Sequence, residues 1–137
     1  MENKTIIIKG ARIIFSELVD KGYGRSITID ATDEKVRKEI EGWVKANNIN
    51  GGTAKFKEYT NKDGKTTVQY TFKLSEYTQI EGKDGFTEKD LGYDATVNLQ
   101  ARAYEYENKF GKGVSSSLDG IFIIEGAKNT VMANIAE

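Results

Sequence analysis

Along residues 97–124, apolar and polar positions take turns in two successive runs. Val97, Leu99, Ala101 and Ala103 alternate with Asn98, Gln100, Arg102 and Tyr104, the two-residue period of a strand with one dry face and one wet face. The run breaks at 108–113 (Asn-Lys-Phe-Gly-Lys-Gly), and Val114, Ser116, Leu118, Gly120, Phe122 and Ile124 then fall in one phase. Two alternating runs around a short Gly- and Asn-bearing break predict a β-hairpin. A second hairpin is predicted across Asn61-Lys62-Asp63-Gly64, joining 53–59 to 66–75; Asp-Gly between alternating runs is a strong turn signal. Val68, Tyr70, Phe72 and Leu74 form its core row, and Gln69, Thr71, Lys73 and Ser75 its other face.

Ile6, Ile7, Ile8, Ile13, Ile14 and Phe15 predict a long first strand, bent at Gly10, because β-branched residues favour extended backbone and a glycine inside a strand marks a bulge. Apolar residues on both sides of the strand before Gly10 predict burial of both faces. Arg25 to Asp30 alternates as a short strand with Ile27 and Ile29 inward. The period then changes. Val36, Ile40, Trp43 and Val44 make one stripe of a helix, with Thr32 as N-cap, Asp33 and Glu34 in the first turn, and Asn47, Asn48 and Gly51 at the close. Trp43 on that stripe is read as core. Residues 16–24 read as a loop with Tyr23 at its tip, and 77–94 as a long acidic loop pinned by Phe86, Leu91 and Tyr93. Short strands, glycine bends and one helix predict an all-β fold with one helix, a small antiparallel OB-type β-barrel. The helix falls after the second strand, where an ordinary OB barrel has it after the third. The 137 residues fit one domain, 1–137, with 126–137 a loose C-terminal tail.

Composition narrows the chemistry. With no cysteine and no histidine, disulfides, thiolate or imidazole metal sites and Ser/His/Asp or Cys/His catalysis are excluded. The acids of 76–94 outnumber its lysines six to two, a net of −4, but their spacing matches no calcium loop. Neither an enzyme, a cofactor nor a metal is expected. No apolar run approaches the ~18 residues of a membrane span, and the apolar tripeptide 6–8 is too short for a secretory signal, so the expected location is the cytoplasm. Net charge is −1, which counts against strong non-specific duplex binding. Residues 54–65, however, carry four lysines against two acids.

The candidate site is the wet face and tip of the closing hairpin: Arg102, Tyr104, Tyr106, Lys109, Phe110 and Lys112. Cations mixed with rings on a solvated strand suit a single nucleic-acid strand, since bases stack on rings and phosphates pair with cations. Arg12, Arg25, Lys55 and Lys57 are further phosphate candidates, and Tyr23 and Tyr59 further rings. Lysines on a wet strand also serve solubility and edge protection.

Ala11-Arg12-Ile13-Ile14-Phe15, then Ala101-Arg102-Ala103-Tyr104-x-Tyr106-x-Asn108 with Gly111-Lys112-Gly113-Val114-Ser115 and Leu118, resemble the opening and closing segments of bacteriophage single-stranded DNA-binding proteins with an OB-fold. The resemblance covers the first and last thirds of the chain. It departs from the family's pattern at Ser16, where a proline is common, and at the C-terminus, which lacks a strongly acidic tail. It implies a sequence-tolerant single-stranded DNA-binding protein of phage replication or recombination, working in the host cytoplasm. It leaves room for other replication or recombination proteins as partners and for a homodimer. The alternative is a phage structural or adaptor β-protein whose aromatic face meets another protein, because exposed tyrosine and arginine also mark protein interfaces.

Overall fold

A computed structural model describes residues 4–19, 22 and 24–127. Six strands and one helix follow in the order β1 (Thr5–Glu17), β2 (Arg25–Asp30), α1 (Glu34–Ala46), β3 (Lys57–Thr60), β4 (Thr66–Gly82), β5 (Thr96–Asn108) and β6 (Gly111–Glu125). The strands lie in the order β2-β1-β5-β6-β4-β3, and β2 also pairs with β4, so the sheet closes in a ring with β3 added at the outer edge of β4. The expected antiparallel pairing holds throughout except between β4 and β6, which run parallel. One parallel closure in a small ring with a single helix is an OB-like arrangement. The helix does fall between β2 and the next strand of the ring.

β4 is the strand that makes closure possible. Its first half pairs with β2 and β3, and its second half with β6. The sequence had read 77–94 as loop, yet the strand continues through Tyr77 to Gly82. Only two short helical turns, Lys83–Gly85 and Glu88–Asp90, separate its end from Leu91. Leu91 is buried and Phe86 partly so, as expected of pins, whereas Tyr93 is exposed. β1 bends at Gly10, which takes φ +71°, a left-handed conformation that favours glycine. Asn98 Oδ1 accepts its N–H at 2.9 Å. The expectation that 6–8 would be buried on both faces is corrected: Ile6 and Ile8 point inward, but Ile7 is exposed.

The core fills the ring with Ile13, Ile27, Ile29, Phe72, Val97, Leu118 and Ile123. Trp43, Ile40 and Val44 close it from the helix. Trp43 packs 6.3 Å from Phe72, and Tyr70 meets Phe72 edge-on at 4.9 Å. Burial raises the Tyr70 phenol above its ordinary pKa. The Trp43 indole donates to the Lys4 carbonyl at 2.9 Å, tying the helix to the start of β1. The N-cap is Asp33, whose carboxylate accepts the Lys35 N–H. Thr32, expected in that role, instead accepts the Val68 N–H and docks the helix entry on β4.

A second phase error matters more. Gln100 faces Gly120 but Ala101 faces Leu118, so Asp119 is the extra residue of a bulge. Leu118, Ile121 and Ile123 are therefore buried, and Phe122, expected in phase with Leu118, is turned outward. A bulge inserts one residue and so exchanges the two faces of everything beyond it. Tyr23 and, save Gly126 and Ala127, the tail expected at 126–137 lie outside the described residues.

Candidate nucleic-acid interface

β5 outruns its neighbour. Its pairing with β1 ends at Thr5 and Arg102, while its pairing with β6 continues to Asn108 and Gly111. The hairpin therefore projects beyond the ring. Past Ala103 its inward-phase residues have no core to cover, and Glu105 and Glu107 are exposed. With Lys112 and Asn48 they line a polar cleft of about 560 Å³ beneath the hairpin. The outward row is Arg102, Tyr104 and Tyr106, opposite Ser117, Ser115 and Gly113. Small partners leave the rings uncovered: Tyr104 is 46% and Tyr106 43% exposed.

Gly113 acts as a seat. A Cβ there would come within 2.6 Å of the Tyr106 ring carbon Cζ, so the ring occupies the space that a side chain at 113 would fill. Arg102 is steadied by Asp119 at 3.4 Å and stays mostly exposed. At the tip, Asn108 Oδ1 accepts the Phe110 N–H. Lys109 Nζ stands 5.1 Å from the centre of the Phe110 ring, which is 87% exposed. Lys112 is exposed but pairs in register with Glu107, which puts it on the face opposite Tyr104 and Tyr106 instead of the expected one. Six of the expected residues thus share one projecting hairpin.

The others are spread out. Lys57 and Tyr59 sit on β3 opposite Gln69 and Thr67, both exposed, and Lys55 lies in the segment just before that strand. Arg12 is paired with Asp94 at 2.9 Å and stands 5.9 Å from the Tyr93 ring. It lies opposite Thr96, six residues or about 20 Å along β5 from Arg102. Arg25 donates to the Ser75 carbonyl at 2.8 Å and approaches Glu88 at 3.8 Å. Its guanidinium clips β2 to β4 and to the turn at Glu88.

Cross-strand register reveals residues that the pattern alone did not nominate. Phe15 faces Thr28, Thr28 faces Thr71, and Ser26 faces Lys73. Together with Lys57 and Tyr59 these form the outer face of β1, β2, β4 and β3. Thr28 and Thr71 share a hydroxyl hydrogen bond at 2.9 Å, while Phe15 and Lys73 are exposed. Lys73 stood in the wet row of the sequence reading. Phe15 had no such signal, because the bulge between Ile13 and Phe15 is what turns it outward. Among the described residues no three acids or other ligating side chains gather as a metal site, and no helix is long and apolar enough to cross a membrane.

These features define a class: a small OB-like ring whose projecting hairpin and outer sheet face carry rings and cations. In structure the chain is similar to the single-stranded DNA-binding protein from bacteriophage Enc34. The TM-score is 0.64 over 93% of this chain and 84% of that one, at 16% identity. The Enc34 protein in complex with single-stranded DNA matches at TM-score 0.63 and 14% identity, over 93% of this chain and 89% of the other. No family pattern and no curated protein matches the sequence itself. The expected likeness to phage single-stranded DNA-binding proteins is thus present in the fold.

Proposed function

We propose that the chain is a sequence-tolerant single-stranded DNA-binding protein of a phage replication or recombination system, acting by binding without catalysis. The observation that carries this reading is the row Arg102, Tyr104, Tyr106 and Phe110, open on one projecting hairpin. Tyr104, Tyr106 and Phe110 stack on bases, each worth about 1–3 kcal/mol. Arg102, Lys109 and Lys112 meet phosphates, and Lys55, Lys57, Tyr59 and Lys73 extend the surface onto β3 and β4. Arg12, Arg25 and Tyr23 are its outlying candidates. The fold shared with a protein solved on single-stranded DNA supports the same reading.

The test is anisotropy of a labelled, unstructured oligonucleotide at low and moderate salt, with duplex as control. Binding should favour the single strand and fall with a slope of about −0.7 per phosphate contacted in log K against log salt. An absence of oligonucleotide binding, with salt-insensitive capture of a protein partner, would favour the adaptor reading instead.

A further inference from the structure

We infer that a notch on the outer face of β5 and β6 holds one base of the bound strand and prefers bases bearing an exocyclic amino group. This rests on the single-strand reading above and adds a discriminating subsite to it.

The bulge at Asp119 creates the notch. Beyond it, Gly120 faces outward, flanked in register by Gln100 on β5 and Gln79 on β4, with Ile7 on β1 completing a row across four strands. The adjacent row is Asn98, Phe122 and Glu81. Because Gly120 has no side chain, the floor drops to the backbone, leaving a cleft of about 250 Å³. Its apolar walls are Ile7 and Phe122, 55% and 44% exposed. Apolar walls around polar edges suit a planar heterocycle better than a phosphate, since the lining holds no cation.

The polar edges are oriented by their own hydrogen bonds. The Gly10 N–H can only donate, so Asn98 meets it with Oδ1 and keeps its amide N–H groups for a ligand. The Asp119 carboxylate only accepts, so Gln100 meets it with Nε2 at 2.9 Å and keeps Oε1 as an acceptor. Glu81 adds a second acceptor. Two acceptors and one donor complement the Watson–Crick edge of guanine, which donates from N1–H and its amino group and accepts at O6; adenine and cytosine still set an amino donor and a ring-nitrogen acceptor against one acceptor and the donor, whereas thymine offers one N–H and no amino group. The notch is also continuous with the hairpin. Asn98, Gln100, Arg102, Tyr104 and Tyr106 follow one another on the outward side of β5, about 27 Å from first to last. Asp119 holds Gln100 and Arg102 together at the junction.

The experiment compares an all-thymidine oligonucleotide with versions carrying one guanosine, adenosine or cytidine at successive positions. Wild type should bind a substituted version at least fivefold more tightly at one or two positions. Gly120→Val, which fills the notch, should bring that ratio to one while keeping all-thymidine affinity within twofold. A Cβ at Gly120 meets only the Gln79 carbonyl oxygen, at 3.5 Å, so the variant should fold; its melting temperature checks this. Gln79→Ala, at an exposed position, should lower the ratio without touching the backbone. Wild type that binds every oligonucleotide equally, or a folded Gly120→Val that keeps the preference, overturns the notch and leaves the parent reading standing. Variants that alter only sedimentation, with oligonucleotide binding intact, would make this face a contact between copies and overturn it likewise. Wild type that binds no oligonucleotide ends both.

Discussion

Two wet surfaces of this molecule carry rings and cations, and they hold them differently. On the β5–β6 hairpin several of these groups have a support: Tyr106 rests on Gly113, Arg102 leans on Asp119, and Lys109 sits over Phe110. On the outer face of β1, β2, β4 and β3, the support is one pair of hydroxyls, Thr28 with Thr71. Among the described residues Lys57 and Lys73 make no ion pair. A supported ring loses little freedom when a base stacks on it, because immobilising a side chain costs free energy on binding. A lysine without a partner is a mobile point charge, suited to phosphates at any position. The hairpin is therefore expected to supply most of the stacking, and the sheet face mostly electrostatic attraction.

That division can be broken by substitution. The largest effect is expected from Tyr104→Ala combined with Tyr106→Ala, which removes two stacks worth about 2–6 kcal/mol together. Oligonucleotide affinity should fall at least tenfold with no drop in melting temperature, since both rings are exposed. Equal affinity would show that the hairpin is not the stacking surface. Gly113→Val should evict Tyr106 from its seat and cost about one stack, 1–3 kcal/mol; an effect as small as that of a surface substitution elsewhere on β6 would deny the seat its role. Lys57→Ala with Lys73→Ala should act mainly through salt, flattening the slope of log K against log salt by about 1.4. If the slope holds, the sheet face does not touch phosphate. The smallest change in affinity is expected for Arg25→Ala. It should instead destabilise the fold by about 1.5–3 kcal/mol, the range for a hydrogen bond involving a charged group, read as a lower melting temperature.

Where local pattern decides structure, the chain was legible. The period-two rows of β4 and β5, the helical stripe from Val36 to Val44 and the turn at Asp63-Gly64 all stand as read. Six of the site residues could be placed on one hairpin because alternation on a strand needs no tertiary knowledge. What could not be read was whatever depends on a partner strand. Asp119 is an ordinary polar residue in an alternating run, and only its pairing against Gln100 and Ala101 makes it a bulge. Phe122 was consequently assigned to the wrong face. Thr32 has the chemistry of a cap, but the nearby Val68 N–H claims its hydroxyl. Residues 77–82 read as the start of an acidic, glycine-bearing loop; they are strand because β6 lies alongside. Phe15 and Lys73 belong to a surface that exists only once β1, β2 and β4 are assembled.

The parallel pairing of β4 with β6 also bears on how the molecule is made. Leu74 must find Leu118, and β6 follows the other strands of the ring in chain order. A ribosome delivering the chain from its N-terminus releases the final stave of the ring last. Until then the second half of β4 has no companion, and its backbone groups stay open to water or to a neighbouring nascent chain. Contacts this distant in sequence slow folding, so newly made copies pass through a vulnerable interval. A prolyl isomerase could not shorten it, since the sequence contains no proline.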